Sequence, residues 1–243
     1  MKQVVTSESH NEKLLNAIVN RMVEKHDCHT ILLYGSRATE QFEPSSDFDI
    51  CGFRDAGEAI CDCEVLPEEN TSGTRTALRS DHDSSASEVL ITDSTPGALL
   101  DAWIYPASLA VTPDQSLMRL RNARILLQKE DLAERCLDRI EKLFARGPSP
   151  LPDWEKQKRL IWMNKTLARV RKDDLEGRYR AHWLLHLALE YYFEMRQKWY
   201  LGSKASFKWL AENDREFLQK FENALANPLD HEALARLIEG VAP

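Results

Sequence analysis

In the first third of the chain the spacing of apolar residues changes from helical to strand-like. Over residues 8–26 apolar side chains recur every three or four positions, and Ser9 is a residue type that caps helices. Further on, short apolar runs bounded by Gly, Ser and Pro are typical of strands. The pattern predicts, in order, a helix over 8–26, a strand over 30–34, a short helix over 36–43 and a strand over 47–53.

The middle of the chain is less regular. Residues 67–88 are polar and rich in Ser, Thr and charged side chains, which predicts a loop or an insertion. The stretches 88–92 and 98–105 predict two strands, and the Asp-Ser-Thr-Pro-Gly sequence at 93–97 suits a hairpin turn between them. One more strand is predicted over 123–128.

The second half of the chain is predicted to be helical. Residues 147–152 contain a Gly and three Pro residues, and this break predicts a boundary between a domain over 1–148 and a domain over 149–243. The predicted helices span 131–146, 153–172, 176–198, 204–212, 214–226 and 230–239. The expected fold class is an α/β (α+β) domain with a small mixed sheet, followed by an all-α helical bundle.

Composition narrows the class of protein only slightly. The 243 residues carry a net charge of −7, which does not indicate a nucleic-acid-binding protein as a whole. The sequence has no apolar run approaching ~18 residues and no apolar signal peptide, so no membrane span is expected. Five Cys residues, an odd number, favour reduced thiols and a cytoplasmic location. Cys61 and Cys63 resemble half of a metal site, but the sequence has no second Cys pair.

The chemistry suggested by the sequence lies in the segment from Gly35 to Asp49. Side chains alternate along a strand, so Asp47 and Asp49 share one face, where two buried and ionised carboxylates repel each other. A divalent cation such as Mg²⁺ removes that conflict, because it prefers hard oxygen ligands together with water and phosphate oxygens. Gly35 permits close approach of the backbone, and Ser36 offers a hydroxyl, so this turn suits phosphate oxygens.

A lone D-x-D sequence is more often a pair of surface acids than a metal site, so the combination of features matters. The string Gly35-Ser36, about ten residues, then Ser46-Asp47-Phe48-Asp49-Ile50 resembles the signature of the DNA-polymerase-beta-like nucleotidyltransferase superfamily. The resemblance implies that Gly35, Ser36 and Ser46 contact a nucleotide.

The same resemblance implies a third carboxylate on a neighbouring strand. Asp101 is the preferred candidate, because it is a single acid inside an apolar strand, where a charge is costly unless it is paired or bound to metal. Asp93 is the weaker candidate. Asp47, Asp49 and Asp101 would then be both the catalytic residues and the ligands of two Mg²⁺ ions, with an NTP as the substrate.

The helical half resembles, more weakly, the C-terminal bundles of kanamycin-type and streptomycin-type nucleotidyltransferases. In those proteins a Lys from the bundle often meets the triphosphate, and the resemblance points to Lys204. His182, His186 and Glu190 lie on one helical face, but they lack the H-E-x-x-H arrangement of many zinc sites. The segment 151–180 is locally basic, which suits either a solvated helix face or a surface for RNA phosphates or an acidic acceptor.

The expected activity is Mg²⁺-dependent transfer of an NMP, with AMP favoured, from an NTP to an acceptor hydroxyl. An aminoglycoside-like small molecule is the preferred acceptor. The alternatives are nucleotidylation of tRNA or protein, as in toxin–antitoxin systems, and a non-catalytic nucleotide-binding module. A homodimer is compatible with the resemblance.

Overall fold

A computed structural model describes residues 7–39, 42–43, 46–66 and 98–243, with side chains described from residue 11 onward. The predicted strand 88–92, the turn at 93–97, the loop 67–88 and the candidate Asp93 therefore lie outside the described residues. The chain divides into two compact units, Met1–Leu143 and Phe144–Pro243. The predicted domain boundary at 148 stays a prediction.

The first unit is built on a five-stranded mixed sheet. Its strands are β1 (Thr30–Tyr34), β2 (Phe48–Arg54), β3 (Ile60–Val65), β4 (Leu99–Pro106) and β5 (Arg124–Leu127), and its helices are α1 (Ser7–His26) and α2 (Ala107–Val111). Helix α3 (Leu132–Arg146) begins in this unit and ends just past the division at Leu143. The strand order is β3-β4-β2-β1-β5. Strands β2 and β4 run parallel, and the other neighbouring strands pair antiparallel.

One face of this sheet forms an apolar core. The buried residues that pack together include Ile18 and Met22 of α1, Ile31 and Leu33 of β1, and Ile50 of β2. Because strand side chains alternate, the residues between them point to the opposite face, and Asp49 is among these. Asp49 therefore lies on the face opposite this core, where Leu32 and Cys51 are also buried.

The second unit is a set of five helices around its own apolar core. The helices are α4 (Asp153–Val170), α5 (Leu175–Met195), α6 (Ser203–Asn213), α7 (Arg215–Ala226) and α8 (His231–Val241). Helix α5 contributes the largest share of buried residues, including Leu184, Leu185, Ala188 and Tyr192. The fold class predicted from the sequence, a small mixed sheet followed by helices, is confirmed.

One local prediction was wrong, and one strand was missed. The helix predicted over 36–43 is a 3₁₀ helix that spans only Ser36–Ala38, because the Thr39 amide and hydroxyl both donate to the Ser36 carbonyl and close the turn. Strand β3 was not predicted. Its residues alternate in polarity, but Asp62 and Glu64 occupy the side of the sheet that carries the apolar core, where apolar residues are expected. Among the described residues, no helix is both long and apolar enough to cross a membrane.

Candidate active site

The pairing of β2 with β4 brings two acids together that are 52 positions apart in the chain. In the parallel register Asp49 lies opposite Asp101, so both side chains are on the same face of the sheet. Asp47 lies two residues before Asp49, and its Oδ1 accepts a hydrogen bond of 3.3 Å from the Leu99 amide at the start of β4. The three predicted acids thus lie near the points where these two strands begin.

Gly35 lies against the carboxylate of Asp49. Strand β1 pairs with β2 so that Tyr34 is opposite Asp49, and Gly35 follows with φ of 71° and ψ of −154°. That conformation is essentially restricted to Gly. A Cβ atom on Gly35 would lie 2.0 Å from Asp49 Oδ2, which is well inside contact distance. The Gly of the motif is therefore required both by the backbone and by the acid beside it.

Arg37 is a part of the site that the sequence interpretation did not single out. Its Nε donates a 2.7 Å hydrogen bond to the Ser46 carbonyl, and its Nη1 donates to Asn11 Oδ1. The guanidinium lies 3.9 Å from the centre of the Phe48 ring, and burial lowers its pKa. Arg37 thus fixes the backbone directly before Asp47 and Phe48. Its position after Gly35-Ser36 was the only available signal in the sequence.

The two Ser residues of the motif stand at opposite ends of the connecting segment. The Ser36 carbonyl closes the turn to Thr39, and Ser46 Oγ accepts a 3.1 Å hydrogen bond from the Glu43 amide. Pro44 and Ser45, which belong to the same motif, lie outside the described residues. Ser46 is thus partly used in shaping its own turn.

The acids repel one another. Burial raises the pKa of Asp49 from 3.8 to about 6, with the charges of Asp101 and Asp47 adding to the effect and Arg119 opposing it. The ligand oxygens of Asp47, Asp49 and Asp101 do not all lie within 4.8 Å of one another. If two cations bind, each of them needs only two of these three carboxylates as ligands.

Arg119 is the described cation whose charge acts on Asp49. It follows α2 in a 3₁₀ helix, Gln115–Leu120, that was not predicted. Its guanidinium lies 5.4 to 5.8 Å from the ring centres of Tyr34, Trp103 and Tyr105 and donates a hydrogen bond to the Tyr105 hydroxyl. Nothing in its local sequence distinguishes Arg119 from a surface residue.

A second group of potential ligands borders the acids. Among the residues that the structure describes, one set of three or more His, Cys, Asp or Glu side chains has its ligand atoms within 4.8 Å, and it consists of Cys61, Cys63 and Asp101. The sequence interpretation noted the Cys pair but set it aside for lack of a second pair. The third group is a carboxylate from the adjacent strand, which spacing alone does not reveal.

The remaining predicted residues belong to the second unit. Lys204 is exposed in the first turn of α6, after Gly202 and Ser203. His182 and His186 are exposed on α5 and, with Glu190, do not form a set of ligand atoms within 4.8 Å. The structure describes each unit by itself, so the assignment of Lys204 to the nucleotide stays a prediction.

Comparison with known proteins adds one structural likeness. No protein-family model and no curated protein match this chain. The solved structure of a nucleotidyltransferase-like protein from Exiguobacterium sibiricum 255-15 is similar, with 11% sequence identity and a TM-score of 0.39, over 94% of this chain and 74% of that chain. A likeness at this level does not assign a family, so any function must be argued from the site itself.

Proposed function

We propose that the protein is a Mg²⁺-dependent nucleotidyltransferase that moves an NMP, with AMP favoured, from an NTP to an acceptor hydroxyl. The observation that carries this proposal is the placement of Asp49 beside Asp101 on parallel strands, with Gly35 in contact range of the Asp49 carboxylate. An ordinary surface pair of acids would need neither a partner acid on the next strand nor a Gly in a conformation restricted to Gly at its side.

The donor set fits Mg²⁺. Three carboxylates share one region of the sheet, and the raised pKa of Asp49 reflects burial and like charges that a cation would offset. Asp47, Asp49 and Asp101 would hold two ions. When bound, the ions would orient the triphosphate and neutralise charge on the leaving pyrophosphate.

The chain's own residues have distinct roles in the transfer. Ser36 and Ser46 would donate hydroxyl protons to phosphate oxygens, and Lys204 would add a positive charge. Asp101 would accept the proton of the acceptor hydroxyl while the oxygen of that hydroxyl forms a bond to the α-phosphorus. The bond from the α-phosphorus to the oxygen that bridges to the β-phosphate breaks, and pyrophosphate leaves with the electron pair. Catalysis would come chiefly from positioning and charge stabilisation.

A small-molecule acceptor is favoured over a polynucleotide. Several basic side chains of the segment 151–180 form ion pairs with nearby acids, namely Lys156, Arg159, Arg169, Arg178 and Arg180. These pairs reduce the positive charge available to phosphates. A polynucleotide or protein acceptor is thus an outcome to be tested rather than the expected one.

The test is pyrophosphate release from each of the four NTPs with a panel of hydroxyl-bearing acceptors, aminoglycosides among them. Wild-type protein should release pyrophosphate only with Mg²⁺, and the double variant D47N/D49N should lose this activity while keeping its circular dichroism spectrum. The matched control is D55N, because Asp55 is an exposed acid of the same unit that pairs with Lys129.

Two outcomes would contradict parts of the proposal. Retained turnover in D47N/D49N would refute the assigned site. NTP binding by calorimetry that is independent of Mg²⁺, without turnover, would indicate a non-catalytic module. Incubation of labelled NTPs with cell lysate separates the acceptors, because label on tRNA or on protein bands would contradict a small-molecule acceptor.

A further inference from the structure

Strand β3 presents two thiols to the carboxylate that the proposed transfer needs. In the antiparallel pairing of β3 with β4, Cys63 lies opposite Asp101 and Cys61 lies opposite Trp103, so all four side chains share one face. Cys63 Sγ lies 3.5 Å and Cys61 Sγ lies 3.8 Å from Asp101 Oδ1. The two sulfur atoms are 2.7 Å apart.

The orientation of this strand is fixed from its other face. Asp62, between the two Cys residues, points to the opposite side and accepts hydrogen bonds from Arg21, Lys25 and His26 of α1 at 2.7 to 3.3 Å. With Asp62 held in this way, Cys61 and Cys63 must face Asp101. The placement of the thiols is therefore built into the fold rather than being a chance surface approach.

The distances suit a tetrahedral cation with soft ligands. In a zinc site, Zn–S bonds of about 2.3 Å and Zn–O bonds of about 2.0 Å place sulfur and oxygen about 3.5 Å apart and two sulfurs about 3.8 Å apart. The two sulfur–oxygen distances already lie close to that value, and the sulfur–sulfur distance must open by about 1 Å. Both thiols are partly exposed, so a cation can enter and a fourth position is left for water.

We propose that Cys61, Cys63 and Asp101 form a site for Zn²⁺ or a similar thiophilic cation, and that occupancy of this site inhibits the nucleotidyl transfer proposed above. The inhibitory part rests on the proposed function, because it follows from the shared use of Asp101. A cation held by two thiolates and Asp101 Oδ1 directs this carboxylate toward β3. The same carboxylate is then less available to coordinate Mg²⁺ together with Asp47 and Asp49.

Zinc binding is measured first, because it is independent of activity. Full-length protein, kept reduced with a phosphine and freed of metal, is titrated with Zn²⁺ against a chromogenic chelator. Wild-type protein should bind about one equivalent of Zn²⁺. Loss of a group that only hydrogen-bonds a metal ligand weakens metal binding about 10–100-fold, and C61S and C63S should each weaken it by more than that. C136A is the matched control, because Cys136 is fully buried in α3, and it should bind as the wild type does.

Cobalt gives a readout on the wild-type protein itself. Co²⁺ added to wild-type protein should produce a thiolate-to-metal charge-transfer band in the near ultraviolet, and C63S should lack it. Absence of this band in the wild type, or equal zinc affinity in wild type, C61S and C63S, would overturn the site.

Inhibition is measured as pyrophosphate release at fixed Mg²⁺ with increasing Zn²⁺, each protein being compared with its own zinc-free rate. Wild type should lose activity at the concentration at which the titration shows binding, and C63S should require at least tenfold more Zn²⁺. Equal inhibition of both proteins would refute the inhibitory role. If the zinc-free wild type has no transferase activity, the proposed function fails, and the titration with its cobalt spectrum still decides the metal site.

Discussion

Replacement of Asp49 by Asn should stabilise the fold while abolishing transfer. Burial and the charges of Asp101 and Asp47 raise the pKa of Asp49 from 3.8 to about 6, so the ionised carboxylate destabilises the metal-free protein at neutral pH. A shift of this size corresponds to at most about 3 kcal/mol, at 1.36 kcal/mol per pKa unit. Because the side chain is only partly buried, solvent screening reduces the expected gain for D49N to about 1–2 kcal/mol.

The stability difference between D49N and wild type depends on pH in a direction set by the raised pKa of Asp49. A carboxyl group with a raised pKa in the folded state contributes stability that is fully present below the unfolded-state value near 3.8. This contribution is lost as the pH rises through about 6. The stability advantage of D49N over wild type should therefore be absent near pH 4 and complete above pH 7.

The assay is hydrogen exchange of the β1 and β2 amides, because this reports on the first unit separately from the helical unit. Saturating Mg²⁺ with a non-hydrolysable NTP should reverse the order of stability, since a ligand at 100 times its Kd adds about 2.7 kcal/mol to the wild type alone. D55N is the control of opposite sign, because the hydrogen bond from Lys129 lowers the pKa of Asp55. Equal or lower stability of D49N at pH 7 would refute the claim that burial and the neighbouring acids make the ionised Asp49 carboxylate destabilising.

Three further variants test the surroundings of the acids. G35A should destabilise the first unit by about 1–3 kcal/mol in urea denaturation, because the backbone conformation of Gly35 is essentially restricted to Gly. It should also weaken Mg²⁺-NTP binding, because the added Cβ displaces the Asp49 carboxylate. Unchanged binding would contradict the close approach of Gly35 to Asp49. R119M removes a positive charge that lowers the pKa of Asp49, so carboxyl NMR titration of the metal-free protein should find that pKa above its wild-type value, and an unchanged or lower pKa would be inconsistent with this role. D62N should lower the free energy of unfolding by about 2–3 kcal/mol. This is less than the ~3–5 kcal/mol expected on breaking a fully buried ion pair, because Arg21 is 29% exposed. A loss of less than about 1 kcal/mol in urea denaturation would show that the pairing with α1 does not hold β3 in place.

The sequence was informative about the elements whose pattern is local. Strand β1, the Gly35-Ser36 turn and the start of β2 follow from an apolar run, a Gly-Ser pair and the alternation of side chains along a strand. The approach of Asp101 to Asp49 depends on which strands pair, and the sequence alone does not determine this. Asp101 was predicted from the resemblance to a family, together with the cost of an isolated acid in an apolar strand.

Strand β3 shows why other parts were not predictable. Its alternation is inverted, because the charged residues Asp62 and Glu64 face α1, and Cys61 and Cys63 face the acids. Burial would raise the pKa of Asp62, but hydrogen bonds from Arg21, His26 and Lys25 outweigh this and lower it well below its usual range. The partners lie 36 to 41 positions away, so no local pattern signals that an acid is accommodated there.

The most direct measurement is a crystal structure with Mn²⁺ in place of Mg²⁺ and a non-hydrolysable ATP analogue. Mn²⁺ takes the same oxygen ligands and can be located by its anomalous scattering. Anomalous density is expected at the carboxylates of Asp49 and Asp101, with phosphate oxygens of the analogue completing the coordination. Ordered Mn²⁺ elsewhere on the protein, with none at these two carboxylates, would contradict the proposed Mg²⁺ site.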